Sequence, residues 1–219
     1  MDIYLEKSLD RSKMSDLTSL GLKKGQLYET IVVTKNSDGS PNAAPMGLIV
    51  KSIQEVVFYF YPGSRTAENV KKDGIFTVNI LEDSLTFVEC TLGSPPSSYF
   101  QKDGDLFHLK SADAYFTARV VKEKVGPRKD RFGSTELTII QALVEDVIKC
   151  VECVHPLNRA IYGIIEALVN LTRMEMADQE TRNVYLSRLP EISRLVNRVG
   201  GLEDKEALDM IRKKYDDYR

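Results

Sequence analysis

Residues 56–69 read Val56-Val57-Phe58-Tyr59-Phe60-Tyr61-Pro62-Gly63-Ser64-Arg65-Thr66-Ala67-Glu68-Asn69. An apolar run stops at Pro62-Gly63 and becomes a polar helix start, so the stretch predicts strand, turn and helix. The strand is apolar on both faces and is expected to be interior. Ser64 or Thr66 can cap the helix, satisfying a free amide at its start. Free amides, two hydroxyls and the Arg65 guanidinium form a donor set suited to an anion such as a phosphate. The competing reading is an ordinary capped helix carrying a surface arginine.

On the N-terminal side, Tyr28-Glu29-Thr30-Ile31-Val32-Val33-Thr34 is rich in β-branched residues and predicts a strand. Asn36-Ser37-Asp38-Gly39-Ser40 then signals a hairpin, with positive φ expected at both Asp38 and Gly39. The partner strand, residues 42–50, is expected to be interrupted at Pro45 and Gly47, leaving Pro45-Met46-Gly47 as an irregular, exposed piece. Such a piece either presents backbone amides to a planar heterocycle or is a plain β-bulge. On the C-terminal side, Asp73-Gly74 ends the helix and residues 75–80 form a strand with Asn79 on one face. Asn79 is either a satisfied core group or a ligand contact.

Residues 82–108 read as a long connection, of the kind that often covers a functional site. Residues 112–122 and 136–151 read as strands, with the basic segment 124–134 as a hairpin tip. After Pro156 the periodicity turns helical, at residues 158–174, 178–188, 191–198 and 204–215, with Gly200-Gly201 separating the last two. The expected domains are therefore a β-rich body, residues 1–155, and a helical region, residues 156–219. Residues 1–27 read as an N-terminal extension.

The chain has 219 residues, 42% hydrophobic and 28% charged, with a net charge of −2. That balance lacks the broad basic footprint of a nucleic-acid binder, and no run is long enough for a membrane helix. Three cysteines and no secretory leader predict a cytoplasmic protein with reduced thiols. Cys150-Val151-Glu152-Cys153 has metal or redox spacing, but without a second pair no metal site is expected. His108 and His155 are too few and too separated for a catalytic array. Arg159 is read as an exposed junction residue rather than a ligand contact, and Glu166 and Arg173 as partners at a helix interface.

The order and spacing of Thr34-Lys35-Asn36-Ser37-Asp38-Gly39, Asn42-Ala43-Ala44-Pro45-Met46-Gly47, Ser64-Arg65-Thr66-Ala67-Glu68-Asn69-Val70 and Val78-Asn79 resemble the FMN-binding split-barrel flavoproteins. That group includes flavin reductases and pyridoxamine phosphate oxidases. The chain is most similar to a largely archaeal branch whose barrel is followed by a helical tail like residues 158–173. The resemblance implies a mainly β fold with α: a split β-barrel of about six or seven strands, then a C-terminal helical region. It implies FMN as cofactor, in a homodimer with the flavin near the interface. Ser64, Arg65 and Thr66 then match the phosphate turn, and Pro45, Met46 and Gly47 the backbone along the isoalloxazine ring. Asn69 and Asn79 are further contacts. The implied activity is flavin-reductase-type oxidoreduction with NAD(P)H or another electron donor and an unspecified substrate. The alternative is a non-catalytic flavin store, sensor or carrier. The basic and histidine set needed for pyridoxamine phosphate is not found.

Overall fold

A computed structural model describes residues 16–93, 95–130 and 133–218. The N-terminal extension before residue 16, Ser94 in the long connection and residues 131–132 at the expected hairpin tip lie outside the described residues. Two compact units result. One holds the chain up to Lys24 with Thr30–Leu157; the other holds Gly25–Glu29 with the chain from Asn158 onward.

The first unit is a closed barrel of six strands in the order β1-β2-β3-β8-β7-β4. The strands are β1 (Leu27–Lys35), β2 (Pro41–Val50), β3 (Glu55–Phe60), β4 (Ile75–Ile80), β7 (Ala114–Asp130) and β8 (Gly133–Lys149), with helix α1 (Arg65–Asp73) between β3 and β4. Inward residues fill the lumen, which leaves no room for a pore. Phe58, Phe60, Phe76 and Phe116 are fully buried, and the Phe58 and Phe76 rings meet edge to face at 5.5 Å.

The expectation that β3 is interior on both faces is corrected. Val56, Phe58 and Phe60 point inward, while Tyr59 is exposed, because the outer face of this strand is left uncovered. In contrast, β1 and β4 are buried on both faces. A second layer covers them, built from the segment read as a long connection. That segment holds helix α2 (Ser84–Leu92) and a hairpin of β5 (Phe100–Asp103) and β6 (Leu106–Leu109). Ile31, Val33, Leu81, Cys90, Phe100 and Leu109 form its core. Burial pushes the Cys90 thiol up to about 11, with Glu89 adding to the effect, so Cys90 is an inert packing residue.

The β1–β2 turn departs from the expected geometry. Gly39 alone takes positive φ, at 84°, and no described non-glycine residue does. The Gly39 amide bonds the Asn36 carbonyl at 2.9 Å and the Asn36 amide bonds the Ser40 carbonyl at 2.8 Å. Ser37 and Asp38 therefore occupy the centre of a type I turn, and Gly39 supplies the left-handed step that restores the strand twist. Asp38 stays in the ordinary region because its carboxylate is engaged, accepting from the Ser40 amide at 2.9 Å and hydroxyl at 2.6 Å.

The expected interruption of β2 is also corrected. The strand runs unbroken from Pro41 to Val50, and residues 44–47 are half-buried. Proline is tolerated where a strand has an unpaired edge, and β2 pairs with β3 through Leu48↔Phe58, Ile49↔Val57 and Val50↔Val56, beyond Pro45. Strands β7 and β8 reach past the barrel as a paired ribbon through Arg128↔Thr135, so the segment read as a polar tip is largely strand.

The second unit packs α3 (Arg159–Arg173), α4 (Gln179–Val199) and α5 (Leu202–Tyr215). Its core is Ala160, Ile164, Ala167, Leu189, Val196, Leu208, Ile211 and Tyr215, and Leu27 packs against it. The expected break between residues 188 and 191 is absent: α4 continues through Pro190. A proline removes one helical bond, but buried Leu189, Ser193 and Val196 on either side hold the helix against its neighbours. No helix among the described residues is long and apolar enough to cross a membrane.

Candidate functional site

The turn between β3 and α1 is built from Tyr61 to Ser64. The Ser64 amide donates to the Tyr61 carbonyl at 3.3 Å. Pro62 occupies the second turn position and Gly63, at φ 72°, the third, as a type II turn requires. Ser64 is the N-cap, its hydroxyl accepting from the Ala67 amide at 3.4 Å. The amides of Arg65 and Thr66 precede the first acceptors of the helix, so they point outward with no intrahelical partner. Arg65 is exposed and makes no hydrogen bond or ion pair with a described residue, although it adds to the pull that lowers the Asp38 pKa.

What fixes this turn is a network of short polar side chains. Thr66 is buried, and its hydroxyl accepts from the Asn42 amide at 3.0 Å. Asn42 also donates to the Thr34 hydroxyl at 3.1 Å. Asn69, one helical turn on, is buried and donates to Thr34 and to the Asn36 carboxamide oxygen, each at 3.0 Å. Asn36 in turn donates to the Ser40 hydroxyl at 3.0 Å. The first turn of α1 is thereby tied to β1, β2 and their hairpin. Each partner is satisfied, so the network holds one geometry.

The expected site residues separate into three groups. Ser64, Arg65 and Thr66 come together at the end of α1, with Asn69 beneath them as support. Pro45, Met46 and Gly47 lie on β2, downstream of Asn42 on the same strand. The Met46 carbonyl accepts from the buried Thr30 hydroxyl at 2.9 Å. Asn79 is fully buried. Its amide donates to the Ile31 carbonyl at 3.0 Å and its oxygen accepts from the Leu109 amide at 2.8 Å. It joins β4 to β1 and to the β5–β6 hairpin, which fits the core reading rather than the ligand one. The sequence reading gave no role to Thr34, Asn36 or Asn42. The available signal was the polar pair flanking the hairpin, at Asn36 and Asn42.

The other candidates resolve into structure. His108 is buried, stacked on Tyr115 with ring centres 3.9 Å apart. Cys150 and Cys153 are exposed and free, and no cluster of three metal-ligating side chains occurs among the described residues. Arg159 donates to Glu29 at 2.6 Å, a half-exposed ion pair. Glu166 and Arg173 line a groove of about 410 Å³ between α3 and α4.

As a receptor for a flavin phosphate, the α1 end fits: it offers outward amides, a helix dipole and the exposed Arg65, while the Ser64 and Thr66 hydroxyls hold the turn in place. A Cβ placed on Gly63 would meet nothing within 4 Å, so the approach to the turn is open.

Comparison with known proteins agrees with this architecture. A crystal structure of FMN-bound protein MM1853 from Methanosarcina mazei is similar at 25% identity and a TM-score of 0.52. The match covers 91% of this chain and all of that one. An uncharacterised protein of the archaeon Methanocaldococcus jannaschii, MJ1453, is 23% identical over 189 residues, 84% of this chain and 96% of its own. The flavin reductase of a Pseudomonas putida styrene monooxygenase is similar over 57% of this chain and 80% of its own, at 17% identity and a TM-score of 0.48. The architecture is mainly β with α, a closed six-strand barrel followed by C-terminal helices. The family described as protein of unknown function (DUF447), N-terminal domain, matches residues 28–150, and its companion, protein of unknown function (DUF447), matches residues 158–213. The chain belongs to the DUF447 family.

Proposed function

We propose that this protein binds FMN, with the flavin phosphate on the N-terminal turn of α1, and works as a flavin-reductase-type oxidoreductase. The observation that carries the proposal is the full-length similarity to an FMN-bound protein of the same family. The donor set at Ser64, Arg65 and Thr66, held by Asn42 and Asn69, supports it independently.

The chemistry that FMN supplies when bound is two-electron transfer. The chain's own contribution is placement. The outward amides and Arg65 hold the phosphate, and the Thr34–Asn42–Asn69 network keeps that anchor in register with β2. The strand carrying Pro45, Met46 and Gly47 would supply main-chain contacts to the ring, with Gly47 leaving its backbone open on the side-chain face. The electron donor is NADH, NADPH or another reduced carrier. The assembly is a homodimer with the flavin near the interface. The exposed apolar face of α3, with Ile161, Ile165 and Leu168 at helical spacing, supports association of two copies.

The test is a visible spectrum of the purified protein, with the chromophore released by heat and identified by chromatography. Stoichiometric FMN, reduced within seconds by anaerobic NADH or NADPH, is the expected result. A colourless protein whose melting temperature does not rise with added FMN would overturn the binding. Bound FMN that no nicotinamide reduces would favour the carrier reading instead.

A further inference from the structure

The phosphate turn has a second cation beside it. Arg128 lies on the ribbon that β7 and β8 extend beyond the barrel, and its Cζ is 5.9 Å from the centre of the Tyr61 ring. That separation is within cation–π range. Tyr61 is the first residue of the turn that Ser64 closes, and the two ends of such a turn lie within about 7 Å of each other. Arg65 follows the last residue of that turn, so one arginine adjoins one end of the turn in sequence and the other packs over the ring of the residue at its other end.

The ribbon is held in this position. Its register is continuous at Gly126↔Leu137, Pro127↔Glu136 and Arg128↔Thr135. Glu123 of β7 pairs with Lys71 of α1 at 2.7 Å, tying the ribbon to the helix that carries the turn. Tyr61 is 54% exposed and contributes little to the core. Its ring face instead packs under the Arg128 guanidinium.

We infer that Arg128 is a second binding cation of the phosphate site, setting its preference for a ligand that ends in a dianionic phosphate monoester. The inference rests on the proposal that the α1 turn takes the flavin phosphate. A monoester carries close to two negative charges at neutral pH. One arginine and the partial positive charge of a helix end leave part of that charge unmatched. A second guanidinium completes the match and adds further donors in a planar fork. Tyr61 contributes by fixing the Arg128 side chain, which reduces the ordering cost on binding.

The experiment titrates FMN and riboflavin separately into full-length protein stripped of flavin, following flavin fluorescence. The proteins are wild type, Arg128→Ala, Tyr61→Phe, Tyr61→Leu and, as reference, Arg65→Ala. Wild type is expected to prefer FMN. Arg128→Ala is expected to lose about tenfold in FMN affinity with riboflavin unchanged, the scale of one exposed charge-assisted contact. Tyr61→Phe keeps the preference, and Tyr61→Leu loses part of it. Circular dichroism of each variant separates misfolding from lost contact, and Tyr61→Leu tests the same site should Arg128→Ala not fold. If wild type prefers FMN and Arg65→Ala reduces that preference while Arg128→Ala and Tyr61→Leu keep it, Arg128 has no part in the site and this inference falls alone. If wild type binds both flavins equally, the phosphate reading of the turn fails and this inference fails with it.

Discussion

Two buried asparagines in the barrel unit invite comparison. Asn69, on α1, is 6% exposed, and Asn79, on β4, is fully buried. The amide of Asn69 bonds other side chains, the Thr34 hydroxyl and the Asn36 carboxamide. Asn79 bonds main chain on both sides, the Ile31 carbonyl and the Leu109 amide. A polar group on one strand that serves the main chain of two others is part of the architecture. A polar group that serves other side chains adjusts where one element sits against another. The difference separates two burials that look alike in the sequence: Asn79 secures the outer layer to the barrel, and Asn69 aims the turn.

The largest expected effect follows from Asn79. Asn79→Ala strands a buried carbonyl and a buried amide at once, each costing about 1–3 kcal/mol. Urea unfolding is therefore expected to show a loss of about 2–6 kcal/mol. FMN affinity in the folded fraction should stay within about twofold, which is near the noise of additivity for distant sites. A tenfold loss of affinity with little loss of stability would reverse the roles assigned to the two asparagines.

Asn69→Ala is expected to show the opposite balance. Its partners are hydroxyl and carboxamide groups at the edge of the hairpin, nearer to water, so the stability cost is smaller, about 1–2 kcal/mol. Thr66 and the first turn of α1 lose part of their tether, so FMN affinity should fall about tenfold, or about 1.4 kcal/mol. The comparison sharpens if Asn42→Ala behaves like Asn69→Ala, because Asn42 holds Thr66 directly. Equal losses of stability from Asn69→Ala and Asn79→Ala, with no change in FMN binding, would make Asn69 another core residue.

The contrast also marks how far the sequence could be read. The strand–turn–helix at residues 56–69 was legible because Pro62, Gly63 and Ser64 act locally: a fixed φ, a positive φ and a capping hydroxyl. The candidate site residues on α1 were proposed from the same local chemistry. The role of Asn79 was not legible, since its partners are 48 and 30 residues away and only the closed barrel brings them together. The α2 helix and the β5–β6 hairpin were missed for a related reason. Their short elements are stabilised by packing on β1, through Ile31 and Val33, rather than by strong periodicity of their own. Pro190 misled in the other direction, as a local rule overridden by buried neighbours on α3 and α5. The turn at Asp38-Gly39 was placed correctly but given the wrong geometry, because the Asp38 carboxylate has a local partner in Ser40 that keeps its backbone in the ordinary region.

The smallest effect concerns acid, and it extends the same comparison to the groups that brace each region. The Ser40 hydroxyl and amide hold the Asp38 carboxyl below its usual value of 3.8, with Arg65 adding a minor pull. Asp83, which caps α2 in the outer layer, is lowered chiefly by the Thr86 hydroxyl. A carboxylate whose folded pKa is lowered stabilises the protein above its unfolded pKa, and that contribution disappears as pH falls through the folded value. Both braces are therefore intact at neutral pH and weaken only below about pH 3.8, the unfolded reference value for both groups. Both groups are near the surface, so the change in melting temperature should be small for Asp38→Asn and for Asp83→Asn, and should shrink further at pH 3. Their effects on the ligand should still differ at neutral pH. Asp38 braces the hairpin that carries Asn36, the partner of Asn69, so Asp38→Asn is expected to weaken FMN by about twofold, the small effect of an exposed contact. Asp83→Asn acts on the layer that Asn79 secures and should leave FMN affinity unchanged. A larger effect from Asp83 than from Asp38 would place the flavin against the outer layer rather than at the α1 turn.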